Sequence, residues 1–144
     1  MEITLRPVEK GDIDKIFGWR NHPAVRDMMF STAPITPQEN AEFWKKRLAD
    51  SSAFSFIITA GGKDAGILRL DRREGSYEVD IFVDPQAQGR GIGSGALALI
   101  IDMAKAKGIK KLTARIKSGN AASKKAFEKN GFMERDSVYE REIL

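Results

Sequence analysis

The sequence has 144 residues, 42% of them hydrophobic, and 24 Lys and Arg against 20 Asp and Glu give a formal charge of +4. That length holds one domain with a real core, expected to span residues 1–144, and is too short for two. There is no cysteine, which excludes disulfides, thiolate metal sites and a cysteine nucleophile, and the lone His22 cannot build a multi-histidine site, so no metal is expected.

No apolar run is long enough to cross a bilayer, and the first residues lack a signal-peptide core. A cytoplasmic protein with no membrane partner is expected. Glu2 to Arg6 alternates Ile3 and Leu5 with polar neighbours and reads as an edge strand. Gly11-Asp12 opens a helix with Ile13, Ile16, Phe17 and Trp19 at helical spacing; His22-Pro23 interrupts it, and Ala24 to Met29 makes a short second helical piece. Ser31 to Pro37 is a loop. Thr36, Pro37 and Glu39 form a capping-box pattern, so a helix runs from there to about Ala49 with Phe43, Trp44 and Leu48 as its apolar side.

Strands follow at Ala53–Ala60, Ala65–Leu70 and Tyr77–Val83, separated by turns at Gly61–Asp64 and Arg72–Gly75. A long apolar-periodic helix covers Gly95 to Lys107, and Lys110 to Ile116 is a further strand. Asn120 caps a helix over Ala121–Lys129 that turns Ala122, Ala126 and Phe127 inward and stops at Asn130-Gly131. Phe132–Asp136 and Val138–Leu144 close the chain as short strands. The order is β-α-α-β-β-β-α-β-α-β-β.

The stretch between the Tyr77–Val83 strand and the long helix carries the chemistry. Val83-Asp84-Pro85-Gln86-Ala87-Gln88-Gly89-Arg90-Gly91-Ile92-Gly93-Ser94-Gly95 is a basic, glycine-rich turn into a helix start. Such a turn is an anion site, because glycines admit close backbone approach and the free N–H groups of the first helical turn point outward with the positive end of the dipole. Nucleotide-binding patterns fit poorly. A P-loop ends in Gly-Lys-Ser/Thr, and no lysine is present here; a dinucleotide fingerprint counted from Gly89 places its third glycine at Ser94.

The run does contain Gln-x-x-Gly-x-Gly, as Gln88, Gly91 and Gly93. Together with the preceding Phe82-Val83-Asp84-Pro85, this resembles the pyrophosphate motif of the GCN5-related N-acetyltransferase (GNAT) superfamily. Downstream, Asn120 through Phe132 resembles the Asn-x-x-small-x-x-x-Tyr-x-x-x-Gly-Phe segment of that family. The resemblance is tight over about residues 76–133 and loose over the whole chain. It implies a mixed α/β (α+β) fold, with a mostly antiparallel sheet of about seven strands flanked by about four helices. It also implies acetyl-CoA as the acyl donor, with CoA as product. The fourth and fifth strands would splay apart to admit the donor. Its pantetheine arm would pair with Ile81, Phe82 and Val83. Its pyrophosphate would sit on Gln88, Gly89, Arg90, Gly91, Ile92, Gly93 and Ser94, with Asn120 and Phe127 contacting the donor from the other side.

Two residues depart from the family pattern. The tyrosine that protonates the leaving thiolate aligns with Phe127, which cannot donate a proton. The glutamate base of ribosomal-protein acetyltransferases aligns with Arg115. Candidates for proton work are then Tyr77, Glu78, Asp80 and Tyr139, the last reading rather as structural; a strand period of two sets Tyr77 and Val79 on one face and Glu78 and Asp80 on the other, where they also read as solvated carboxylates. A main-chain N–H near Phe82-Val83 would polarise the acetyl carbonyl.

The acceptor side in this fold comes from the first two helices, here Phe17 to Phe30. Trp19, Arg20, Asn21, Arg26, Met29 and Phe30 are its candidate substrate residues, since aromatics stack on rings and arginines fork onto phosphates. The segment resembles GNAT enzymes that acetylate amino-sugar nucleotides in the pseudaminic-acid pathway, which implies a UDP-4-amino-sugar type of acceptor. A polyamine or a protein amine is the alternative acceptor, although Asp12, Asp14 and Asp27 are few for a polyamine. A non-catalytic acyl-CoA-binding module is a further alternative. The lysine-rich C-terminal half suits a polyanionic ligand; without interleaved aromatics it does not point to a nucleic-acid partner. A monomer or homodimer is expected.

Overall fold

A computed structural model describes residues 1–135 and 138–143. The elements are β1 (Ile3–Pro7), α1 (Ile13–Asn21), α2 (Pro23–Arg26), α3 (Pro37–Ala49), β2 (Phe54–Ala60), β3 (Lys63–Arg73), β4 (Ser76–Val83), α4 (Ile92–Lys107), β5 (Lys111–Ala114), α5 (Ala121–Lys129), β6 (Met133–Arg135) and β7 (Val138–Glu142), with single 3₁₀ turns at Lys10–Asp12 and Pro85–Ala87. The seven strands form one sheet in the order β1-β2-β3-β4-β5-β7-β6. Every neighbouring pair is antiparallel except β4 and β5, which run parallel. The expected mixed seven-stranded sheet is therefore present, with five helices rather than about four, because Pro23 starts a separate turn of helix.

The caps read from the sequence form. Thr36 Oγ1 accepts from Glu39 N–H and Glu39 accepts from Thr36 N–H, closing the box at α3; Asn120 Oδ1 accepts from Ser123 N–H at α5. His22 ends α1 and its Nδ1 accepts from Ala24 N–H to cap α2.

Several boundaries differ from expectation. The β3 strand continues through Arg72 and Arg73, which pair with Tyr77 and Ser76, and so leaves only Glu74-Gly75 as the turn, with Gly75 at φ +73°. The β5 strand is shorter than expected, covering only Lys111–Ala114, the four residues that pair with β7. The α4 helix starts at Ile92, which brings Gly93 and Ser94 into its first turn. In α3 the buried side is Asn40, Trp44 and Arg47, while Phe43 and Leu48 are 43% and 44% exposed. In α5 Phe127 is buried and Ala122 is not. The strand ends expected at Asp136 and Leu144 lie outside the described residues.

The two faces of the sheet are chemically different. Leu68, Leu70, Val79, Leu97, Ile100, Leu112 and Phe127 belong to a large apolar core between the sheet and α4 and α5. Full burial of each such apolar side chain stabilises the fold by about 1.5–3 kcal/mol. The opposite face packs Val8, Ile16, Trp44, Ile57 and Ile67 in a smaller core under α1 and α3. Beyond that core the face becomes charged. Arg47 of α3, nearly buried, donates to Phe54 O and Leu70 O and pairs with Asp71.

Candidate active site at the split between β4 and β5

The register shows where the sheet opens. β4 meets β5 only at Tyr77 opposite Leu112 and Glu78 opposite Thr113. On its other edge β4 stays paired with β3 up to Val83 opposite Gly66. Asp84 N–H donates to Ala65 O at 2.7 Å, which sets the hydrogen-bonding phase of that ladder. Counting back in twos, Phe82, Asp80 and Glu78 direct their main-chain groups to β3, and Val83, Ile81 and Val79 direct theirs to the gap. Gln88 Nε2 donates to the Val83 carbonyl at 3.3 Å. The N–H and C=O groups of Ile81 and the N–H of Val83 are left facing a cleft of about 530 Å³. A buried strand edge with unpaired groups is a site for an extended amide-bearing chain to add as another strand.

The same cleft reaches the N-terminus of α4. Gly91, the N-cap, has no side chain to close the helix, in contrast to Thr36 at α3 and Asn120 at α5. Gly95 N–H is the first to bond back, to Gly91 O at 3.0 Å, so the preceding N–H groups are free for a ligand. Asn130 Nδ2 donates to Ser94 O and Ser94 Oγ, both at 3.1 Å, and to Ala126 O at 2.8 Å. With its oxygen already accepting, the Ser94 hydroxyl is oriented to donate its proton elsewhere.

These features fit a diphosphate linked to an amide chain. Of the residues expected to hold the donor, Ile81, Phe82, Val83, Gln88, Gly89, Gly91, Ile92, Gly93, Ser94, Asn120 and Phe127 line the cleft, while Arg90 is exposed beside it. Phe82 does so by its side chain, its main chain being turned to β3.

Because the cleft passes through the sheet, residues of the opposite face line it as well. Arg69 pairs with Asp80, and Glu78 is held by Arg73 (2.9 Å) and Arg115 (3.5 Å). Tyr77 lies elsewhere. The β3–β4 ladder has no bulge to rotate it, so it packs on the apolar face against Phe54, with ring centroids 5.8 Å apart, and lines a separate shallow cavity with Lys107 and Lys110.

Of the acceptor candidates, Arg20, Met29 and Phe30 line the cleft, and Trp19, Asn21 and Arg26 do not. Trp19 packs against the smaller core. Asn21 exchanges two hydrogen bonds with the Ile35 main chain, at 2.9 and 2.8 Å. Arg26 donates to Asn21 O at 3.0 Å and Thr32 O at 3.2 Å. Asn21 and Arg26 thus shape the segment after α2. Lys117 Nζ, donating to Asp27 O at 3.0 Å, joins that segment to the loop after β5.

Arg69, Asp71 and Arg73 were not singled out in the sequence. Their period-two spacing opposite Glu78 and Asp80 is the signal that would have placed them together. Among the described residues no cluster of three or more His, Asp or Glu side chains is placed to hold a metal, and no helix is long and apolar enough to cross a membrane.

Comparison with known proteins agrees with this geometry. The family described as "Acetyltransferase (GNAT) domain" matches residues 2–133. A Bacillus subtilis protein, YwnH, provisionally named a phosphinothricin acetyltransferase, is 30% identical over 92% of this chain and 85% of its own length. Phosphinothricin N-acetyltransferase of Streptomyces coelicolor is 28% identical over 91% of this chain and 82% of its own. In fold, the spermidine N-acetyltransferase of Vibrio cholerae, solved with CoA and spermine, superposes with a TM-score of 0.87 at 19% identity, covering 98% of this chain and 95% of that one. With a strand edge open to an extended chain, an uncapped helix start beside it and a family match over nearly the whole length, the chain belongs to the GNAT family of acetyltransferases.

Proposed function

We propose that this acetyl-CoA-dependent N-acetyltransferase acts on the primary amine of a small molecule that enters from the charged face of the sheet, and that Glu78 receives the proton the amine gives up. The observation that carries the reading is the gap from Val79 to Val83, which opens toward the uncapped N-terminus of α4 on one side and toward Glu78 and Arg20 on the other. Acetyl-CoA, when bound, supplies an acetyl thioester, a donor that needs no covalent enzyme intermediate and so no cysteine. Ile81 and Val83 offer main-chain partners to its amide arm, and a main-chain N–H there polarises the acetyl carbonyl. The α4 amides and the Ser94 hydroxyl hold the diphosphate. Glu78 is fixed by two arginines at the cleft wall, an arrangement that orients a proton acceptor. Tyr77 serves packing.

Two acceptors fit a small amine. The α1–α2 segment favours an amino-sugar nucleotide, of whose candidate contacts Arg20, Met29 and Phe30 stand in the cleft. The relatives at 28% and 30% identity favour an amino acid of the phosphinothricin type. Calorimetry with CoA, followed by thiol release from acetyl-CoA with a panel of amines, tests the reading. Glu78→Gln is expected to lower kcat about 100-fold with CoA affinity unchanged, and Tyr77→Phe to leave kcat unchanged. Failure to bind CoA would refute the donor assignment, and full activity of Glu78→Gln would remove Glu78 from the chemistry.

A further inference from the structure

The acceptor side of the cleft contains a donor with nothing to donate to. Arg20, near the end of α1, lines the cleft, and its Nη1 is buried with no hydrogen-bond partner among the described residues. A buried guanidinium N–H without an acceptor destabilises the protein that carries it, so its persistence at a cavity wall needs a reason. The surrounding guanidinium groups are all engaged. Arg69 pairs with Asp80, Arg73 and Arg115 hold Glu78, and Arg26 holds main-chain carbonyls of its own loop.

The nearby carboxylates are engaged by the same partners, and Asp71 by Arg47. Arg20 is therefore the guanidinium of this wall that no described carboxylate pairs. Burial, offset only in part by Asp80, lowers its affinity for its proton, and Arg69 and Arg26 lower it further by repulsion. One bound anion would supply the missing acceptor and offset part of the excess positive charge.

We propose that Arg20 is a specificity residue that reads an acidic group on the acceptor, so that the preferred acceptor carries a phosphate, phosphinate or carboxylate as well as its amine. The inference rests on the acetyltransferase reading above. A planar guanidinium fork at the wall of a partly desolvated cavity suits such a group. Met29 and Phe30 beside it supply an apolar lip for the part of the acceptor between the amine and the anion. A polyamine brings only further positive charge to this wall and is disfavoured by it.

The test uses matched acceptors that differ in the acidic group alone: glucosamine 6-phosphate against glucosamine, and phosphinothricin against its carboxamide. Thiol release from acetyl-CoA is expected to show at least a tenfold higher kcat/KM for the charged member of one pair, carried by KM. The pair that responds identifies the source of the anion. Arg20→Met is expected to collapse that preference to within twofold, and Arg20→Lys to restore part of it, with CoA affinity by calorimetry unmoved.

A second readout needs no turnover. With CoA saturating, so that the diphosphate site is filled, inorganic phosphate is expected to raise the Tm of the wild-type protein and not that of Arg20→Met. Equal use of both members of each pair, a preference that survives Arg20→Met, or no phosphate-dependent shift in the CoA-loaded wild type would overturn the inference and leave the acetyltransferase reading intact. Absence of CoA binding would overturn both. Were Arg20→Met unable to fold, the wild-type acceptor ratios and phosphate shift would still decide.

Discussion

Replacing Gly93 by alanine separates the needs of the fold from those of the ligand. The glycines around it have structural reasons. Gly89 and Gly91 sit at φ +80° and +75°, a region that L side chains rarely enter, and a Cβ on Gly95 would lie 2.5 Å from Ile3 Cδ1. At Gly93 φ is not positive, and a Cβ would meet only Val83 Cγ2 at 3.9 Å and Ile81 Cδ1 at 4.0 Å, which is ordinary contact. The protein alone gives no reason for glycine there, and helix propensity favours alanine by up to about 1 kcal/mol. For a domain of this size that gain is a rise in Tm of about 2–4 °C. The added methyl, however, stands in the cradle where a diphosphate would approach the first-turn amides. Loss of one hydrogen bond to a charged group costs about 1.5–3 kcal/mol, equivalent to about 10- to 100-fold in affinity. Gly93→Ala is thus expected to melt no lower than wild type and to bind CoA at least tenfold more weakly. Its kcat/KM with the truncated donor S-acetyl-N-acetylcysteamine, which has no diphosphate, should be unchanged. Undiminished CoA affinity in a folded variant would refute the placement of the diphosphate on α4, and a Tm lowered by several degrees would show a packing role that the contacts do not reveal.

Gly66→Ala should behave in the opposite way. Its Cβ would come 2.5 Å from the Phe82 carbonyl and 3.0 Å from Val83 Cα, both main chain on β4, so the strand beside the gap must shift; a loss of about 1–3 kcal/mol is expected by chemical denaturation. Gly95→Ala, which meets only the mobile end of Ile3, should cost clearly less, and equal losses would remove the argument from β4 rigidity. Acid should weaken the anchoring of β1. Hydrogen bonds from Arg6 to Asp12, and from Lys15 and Arg6 to Asp64, hold both carboxyls below their ordinary range. A carboxyl lowered on folding stabilises the protein fully above its unfolded pKa, about 3.9, and loses that contribution as pH falls through the folded value. Tm should therefore fall below about pH 4, less steeply in Asp64→Asn; parallel slopes in the two proteins would discount the cluster.

What the sequence revealed depended on whether the signal was local. The capping box at Thr36, the cap at Asn120 and the alternation of Ile3 and Leu5 in β1 act over a few residues, and each took the expected form. The charged wall did not, because its meaning lies in register. Arg72-Arg73-Glu74-Gly75 has the polarity of a turn, yet cross-strand pairing carries β3 to Arg73, and only that pairing brings Arg69 to Asp80 and Arg73 to Glu78. Polar residues in the acceptor segment misled in another way. Asn21 and Arg26 have the side chains of ligand-binding groups, but the irregular backbone after α2 needs hydrogen bonds of its own, and these two supply them. Arg20, next in chain to Asn21, has no such duty. No pattern in the sequence separates the two roles.

Phe127 is the remaining departure, and the fold limits what can replace the missing hydroxyl. Its ring is buried, edge-on to Phe132 at 4.9 Å, and lines the cleft where the family pattern places tyrosine. Neither tyrosine of the chain substitutes: Tyr77 lies in the other cavity, and Tyr139 donates to Glu134 at 3.1 Å on β7 with burial raising its pKa. The hydroxyl side chains at the cleft are Ser31, Ser94 and Ser123, none of them acidic enough to be a general acid near neutral pH. An acyl transfer from a thioester tolerates this, because a thiol with a pKa near 8.5 departs without prior protonation. The chemistry then leans on the other end of the reaction, the amine that must reach the thioester neutral and correctly placed. On the proposed reading, the wall that holds Glu78 with two arginines and leaves Arg20 unpartnered serves that half.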